Sequence, residues 1–349
     1  MTRAPFPSIA RPILLAGRLG LAALAGCGSC EKSPEPSSSG SGTAASSATP
    51  PGASTTGSAA ASAQVVPMRD AGPAAARIVA IGDLHGDLAA TRKVFRLAGA
   101  IDAKDKWVGG KLVIVQTGDA VDRGDDDRAI LDFLERVKNE ALAAGGDLVA
   151  MSGNHEIMNA SFDFRYVTQP AFVAFDDIKP KSPAVGAALE KLDSTTRGRA
   201  AAFAPGGPYA AMVAKRPVIH RAGDTLFVHG GILPKHVTYG LDRINDETRA
   251  WLLGERSEPP RILVQEDGPI WSRMYSAAPG REECEILDKT LAMTGAKRMV
   301  MGHTVQRNGV TSACAEKAWR IDVGLSKFYG GAPQALAIEG DKLTVLKEP

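Results

Sequence analysis

The chain has 349 residues, with 41 Lys and Arg against 39 Asp and Glu and a formal net charge of +2. That near-balance argues against a polyanion-binding surface, and no cluster of interleaved basic and aromatic residues points to nucleic acid as a partner. The length exceeds a typical single domain, but the first part of the chain carries too little apolar surface to join a core.

Residues 1–18 contain Arg3, Arg11 and Arg18 and no acid, and the apolar stretch 19–25 runs into Leu24-Ala25-Gly26-Cys27. This pattern fits a secretory signal with a small-residue processing site, too short to span a bilayer. The Leu-Ala-Gly-Cys string resembles the bacterial lipobox. That implies a lipidated Cys27 as the first mature residue, anchored in a membrane of the cell envelope and facing the periplasm or exterior. Three regions follow: a signal segment over 1–27, a flexible linker rich in Ser, Gly, Ala and Pro over 28–75, and one folded domain over 76–349.

Within the folded domain, apolar runs at 77–81, 112–117 and 148–152 read as strands, separated by helices at 88–98 and 127–143. Such alternation implies parallel pairing through right-handed crossovers. Asp125-Asp126-Asp127 reads as a solvated helix start, where acids complement the dipole. Residues 160–214 turn irregular after Phe162-Asp163-Phe164-Arg165-Tyr166 and read as a cap-like insert over the site. A hairpin is expected over 216–229, its turn at Gly223-Asp224, then helices at 242–253 and 282–293 and strands at 298–301, 318–323, 335–338 and 343–346. The expected fold class is α/β, two packed sheets with helices outside. His220 and His236 read as structural, and Trp107, Trp251 and Trp319 as packing residues. Cys284 and Cys314 are the one cysteine pair of the folded part; an oxidising compartment permits a bridge, and two buried thiols fit equally.

Five apolar runs each stop at a Gly beside a chemistry-bearing side chain. The strings are Gly82-Asp83-Leu84-His85-Gly86, Gly118-Asp119-Ala120-Val121-Asp122-Arg123-Gly124, Gly153-Asn154-His155-Glu156, His229-Gly230 and Gly302-His303. In open α/β sheets, ligands gather beyond the carboxyl ends of the strands. Asp83 and His85 alternate with Leu84, so an extended strand end would point both at one ion. Asp119 offers two oxygens and can bridge a pair of cations, while Asn154 supplies an amide oxygen and His229 and His303 supply imidazole nitrogens. This mixed set lacks thiolate and leaves the ion open.

In order and spacing, these strings resemble the signatures of the calcineurin-like metallophosphoesterase superfamily, nearest the phosphoprotein phosphatase type. The segments 154–159, 164–167, 297–306 and 321–326 are similar to the Shewanella-like protein phosphatase branch. The resemblance implies a metallophosphoesterase-type sandwich of two mixed β-sheets flanked by helices, and a phosphomonoester hydrolase using two divalent metal ions (Mn, Fe or Zn). On its terms Asp83 and His85 hold one ion, Asn154, His229 and His303 the other, and Asp119 lies between them. A hydroxide bridging the ions would attack phosphorus, with His155 as general acid oriented by Asp122. Arg123 would grip phosphate oxygens, and Arg165 and Arg273 are further candidates for that task. The implied substrate is a phosphorylated protein or a small phosphoester, with a leaning toward phosphotyrosine in some members. Two other readings stand beside it: hydrolysis of dinucleoside polyphosphates, which uses the same ligand strings, and a non-catalytic envelope lipoprotein that keeps the fold as a binding module.

Overall fold

The computed structural model describes residues 68, 69 and 75–348. The signal segment, Cys27 and most of the linker lie outside the described residues. No described helix is long and apolar enough to cross a membrane.

The first half alternates as expected: β1 (Ile78–Ile81), α1 (Leu88–Leu97), β2 (Val113–Gln116), α2 (Asp127–Ala143), β3 (Asp147–Ala150) and then α3 (Asn154–Ala160). The insert folds into four short helices, α4 (Gln169–Val173), α5 (Pro183–Leu189), α6 (Arg197–Phe203) and α7 (Pro208–Val213). The second half holds β4 (Ile219–Ala222), β5 (Thr225–Val228), α8 (Pro234–Tyr239), α9 (Leu241–Leu252), α10 (Arg261–Val264), α11 (Arg281–Thr294) and β6 (Arg298–Met301). It ends with β7 (Thr311–Ala313), β8 (Ala318–Arg320), β9 (Gln334–Glu339) and β10 (Lys342–Lys347). The short helices α3, α8 and α10 were not expected, and two strands also depart from expectation. β7 is a half-buried run of Thr, Ser and Ala with no hydrophobic pattern to announce it, and β8 stops at Arg320, so that residues 321–323 leave the sheet toward the site.

The strands form two mixed five-stranded sheets, in the orders β10-β9-β1-β2-β3 and β4-β5-β6-β8-β7. β1, β2 and β3 run parallel, as do β5, β6 and β8, while the outer pairings with β9, β10, β4 and β7 are antiparallel. The central strands read as unbroken apolar runs because both of their faces are buried. In β1, Ile78 and Ala80 face the other sheet across a core that includes Phe227, Val300, Leu336 and Ile338, whereas Val79 and Ile81 pack on the helix side with Val94, Phe95 and Leu131. β5 and β6 divide in the same way, Phe227 and Val300 inward, Leu226, Val228, Met299 and Met301 toward helices. The carboxyl ends of six parallel strands, three from each sheet, carry the loops of the five strings and the segment after β8.

The insert has a small core of its own, Leu189 with Ala200 and Ala201, while Ala202 and Phe203 join the main core. α6 is therefore buried on every side, the pattern of a helix sunk into a domain rather than laid on it. Cys284 at the start of α11 and Cys314 just after β7 form a disulfide.

Candidate metal centre

The loops that leave the strand ends are bent in a way few side chains tolerate. His85, Asp119, Asp122, Arg123 and His303 all have positive φ, between 45° and 70°. Non-glycine residues held in that region cost free energy and persist only where surrounding structure dictates them, most often at functional sites. His85 corrects one expectation: with φ 45° it is not part of an extended strand end, and the turn rather than strand alternation brings its Nε2 to 3.8 Å from Asp83 Oδ2. At two positions a glycine makes room for a candidate ligand carboxylate. A Cβ at Gly153 would lie 2.1 Å from Asp119 Oδ1, and one at Gly302 2.3 Å from Asp83 Oδ1.

The six ligand candidates converge, all of them buried. Asp119 Oδ2 lies 3.2 Å from His229 Nε2 and 3.8 Å from both His85 Nε2 and His155 Nε2. His229 Nε2 is 2.9 Å from Asn154 Oδ1 and 3.1 Å from His303 Nδ1. Asp83 accepts from the His303 backbone N–H at 3.2 and 3.1 Å.

The outward ring nitrogens decide what the inward ones offer. His229 Nδ1 donates to Thr117 O at 3.0 Å, His85 Nδ1 to Val121 O at 3.2 Å, and His303 Nε2 to Trp271 O at 3.1 Å. A carbonyl can only accept, so an imidazole held this way, in its neutral form, presents a lone pair to the centre, the tautomer that a metal ligand requires. His229 Nε2, His303 Nδ1, Asn154 Oδ1 and Asp119 Oδ2 are then acceptors facing acceptors, with no hydrogen to share. Such a set is satisfied by a cation.

The charge balance agrees. Burial, with Asp322 and Asp119 alongside, pushes the Asp83 carboxyl well above the usual range. Burial likewise raises Asp322 to about 6, and its Oδ2 is buried without a hydrogen-bond partner among the described residues. His85 is lowered to about 4 and His303 to about 2, chiefly by burial, which keeps both rings neutral. The raised carboxyls of Asp83 and Asp322 beside the neutral rings of His85 and His303 fit positive charge supplied from outside the chain.

Beneath the centre, Glu156 accepts from the backbone N–H groups of Asp119, Ala120 and Gly153 at 3.0, 2.8 and 2.8 Å. One carboxylate thus ties the β2 loop to the start of α3. Beside the centre, His155 Nδ1 is 2.7 Å from Asp122 Oδ2, and the ring turns Nε2 inward. Burial lowers the basicity of His155, but Asp119 and Asp122 outweigh it, and the net direction is upward.

At the rim, the Arg123 guanidinium lies 3.8 Å from the Tyr166 ring centre, 5.1 Å from Phe328 and 6.0 Å from Tyr329. Among the described residues Arg123 takes no acidic partner, and its Nε is buried without a hydrogen-bond partner. Arg165 pairs with Asp163 at 2.7 Å and is largely exposed, and Arg273 donates to His303 O and Thr304 Oγ1, both at 2.9 Å. Arg273 thereby braces the loop of a ligand candidate. The acidic run 125–127 divides, against expectation: Asp125 and Asp126 are exposed, but Asp127 is fully buried and accepts from the Asp122 N–H at 2.9 Å. Sequence reasoning assigned no role to Glu156, Asp322, Tyr166 or Asp127. The first three lay inside strings already noticed; Asp127 carried no signal beyond a helix-start acid.

Residues 76–307 match the family described as calcineurin-like phosphoesterase. The chain is 41% identical over 295 residues to Shewanella-like protein phosphatase 2 of Arabidopsis thaliana, covering 76% of this chain and 75% of that one. It is 27% identical over 283 residues to Shewanella-like protein phosphatase 1 of Plasmodium berghei, covering 78% and 74%. Among solved structures, the fold resembles a cold-active protein-tyrosine phosphatase of a psychrophile Shewanella species, with a TM-score of 0.63, 23% identity and coverage of 81% of this chain and 83% of that one.

Proposed function

Because the chain belongs to the calcineurin-like phosphoesterase family and is a metal-binding phosphatase, we propose that it hydrolyses phosphomonoesters on protein side chains, phosphotyrosine foremost. Asp83 and His85 would hold one divalent cation and Asn154, His229 and His303 a second, with Asp119 shared; the nitrogen and oxygen donors suit Mn, Fe or Zn. When bound, the pair supplies neutralisation of phosphoryl charge and a water acidified toward neutral pH. The chain's own groups do the rest. Arg123 holds non-bridging phosphoryl oxygens with its guanidinium N–H groups, its plane steadied on Tyr166. His155 gives a proton from Nε2 to the departing oxygen, and Asp122 fixes the ring for that transfer.

The observation that carries this reading is the posture of His155. Its Nδ1 is held 2.7 Å from Asp122 while Nε2 turns to 3.8 Å from the shared carboxylate of Asp119. A module kept only for binding has no use for a buried dyad aimed at its ligand cluster. The phosphotyrosine preference rests on the aromatic rim: Tyr166, Phe328 and Tyr329 surround Arg123, and Phe328 is 58% exposed. An aryl phosphate placed on Arg123 would pack its ring against them. Packing of that kind is worth roughly 0.5–1.5 kcal/mol, up to about tenfold in kcat/KM. With the manganese-loaded chain, a phosphotyrosine peptide is expected to exceed its phosphoserine counterpart by about that factor. Equal values, or faster cleavage of a dinucleoside polyphosphate, would overturn the preference.

We further infer export and a lipid anchor at Cys27. The Cys284 to Cys314 disulfide supports an oxidising compartment, where such bonds persist. Mass spectrometry of the mature N-terminus is expected to find acylated Cys27; an unmodified residue further along would refute the anchor.

A further inference from the structure

The residue that completes the dyad comes from the insert and belongs to none of the five strings. Arg199, on α6, has a side chain with no exposure at all. Every arm of its guanidinium is occupied. Nη2 lies 3.0 Å from Asp122 Oδ1 and 2.6 Å from Asp127 Oδ2, Nε donates to Asn159 Oδ1 at 2.7 Å, and Nη1 donates to Ala171 O at 3.0 Å. The rings of Phe175 and Phe203, 5.2 and 5.1 Å away, pack against it.

The consequence falls on Asp122. Its Oδ1 accepts from Arg199 and from Asn159 Nδ2, each at 3.0 Å, and its backbone N–H is tied to Asp127. Only Oδ2 is left to meet His155 Nδ1. Asn159 also donates to His155 O at 2.9 Å, so the network grips the dyad from both members. Burying a guanidinium between two carboxylates is weak evidence for stability, because desolvation offsets the attraction. A planar guanidinium held at Asn159 and Ala171, with one nitrogen, Nη2, shared between Asp122 and Asp127, fixes one carboxylate rotamer, which is what positioning of a proton donor needs.

We propose that Arg199 is a positioning residue for proton transfer: it locks Asp122, Asp122 locks His155, and the insert is thereby part of the catalytic apparatus rather than a cover over it. The proposal rests on the reading of His155 as proton donor. It predicts a defect confined to leaving groups that need a proton. Phenyl phosphate is such an ester, since phenolate is basic; 2,4-dinitrophenyl phosphate is not.

The test is steady-state kinetics on the manganese-loaded full chain with Arg199→Lys, His155→Asn and the double variant, and with Asp127→Asn as a milder perturbation that preserves shape. A lysine cannot reach Asn159, Ala171, Asp122 and Asp127 at once from a planar group, so Arg199→Lys is expected to lower kcat for phenyl phosphate by about 10- to 100-fold, part of the roughly 10²–10⁴ due to a general acid. KM should stay within about twofold, and kcat for the dinitrophenyl ester within about threefold. In the His155→Asn background the same change should cost less than about threefold, because the two residues act as a unit. Asp127→Asn should show the same ester selectivity at smaller size. Equal losses on both esters, or losses that add to those of His155→Asn, would overturn the assignment of Arg199. Full turnover of phenyl phosphate by His155→Asn itself would overturn the donor reading and this proposal with it.

Discussion

Asp119→Asn is expected to empty both halves of the centre together. Asp119 Oδ2 lies within reach of both ligand groups, 3.8 Å from His85 Nε2 and 3.2 Å from His229 Nε2, while Oδ1 anchors the His155 backbone N–H at 2.9 Å. An amide retains the shape but removes the charge, and one of its two ends carries hydrogens into a cluster made of lone pairs. Losing a supporting group around a metal costs about 10- to 100-fold in affinity, and the loss of a shared ligand should exceed that range for both ions. Metal analysis after dialysis should therefore find neither site retained. Full occupancy in this variant would remove Asp119 from its bridging role. Retention of one ion would show that the aspartate serves a single site.

His155→Asn should behave in the opposite way, keeping its metal and losing its rate. Asn cannot deliver a proton at the Nε2 position, yet it preserves the backbone N–H that binds Asp119 and sits at the start of α3, where polar side chains are tolerated. General acid catalysis contributes about 10²–10⁴-fold, so kcat should fall by that much with KM and metal content near those of the unaltered chain. Unchanged kcat would exclude His155 from the reaction. A large rise in KM with kcat preserved would make it a binding residue instead.

These two variants separate holding the cations from using them, a division the sequence already suggested. β1, β2, β5 and β6 were legible because both faces of the sandwich are apolar, so strands such as Ile78–Ile81 and Arg298–Met301 contain unbroken hydrophobic stretches ending at glycine. The ligand candidates stood out in the sequence for the same reason: each lies just after such a run, beside a glycine. The disulfide was half legible, since only one pair of cysteines remained in the folded part, but nothing in the sequence distinguished a bridge from two thiols.

Arg199 and Asp127 were not legible. A run of three aspartates at a helix start looks solvated, and Asp125 and Asp126 are exposed; Asp127 is buried only because an arginine 72 positions away arrives from the insert. No local pattern encodes that meeting. His85 shows a smaller failure of the same kind, the right partner reached by a positive-φ turn in place of strand alternation. Arg165 and Arg273 are placed by Asp163 and by the His303 loop, contacts that composition does not reveal.

The account stands on six buried side chains holding a pair of cations through a common carboxylate. The most direct measurement is the metal content of the unaltered chain after saturation with manganese and removal of loosely bound ions. Two ions per chain is the predicted result; one ion, or none, would contradict it.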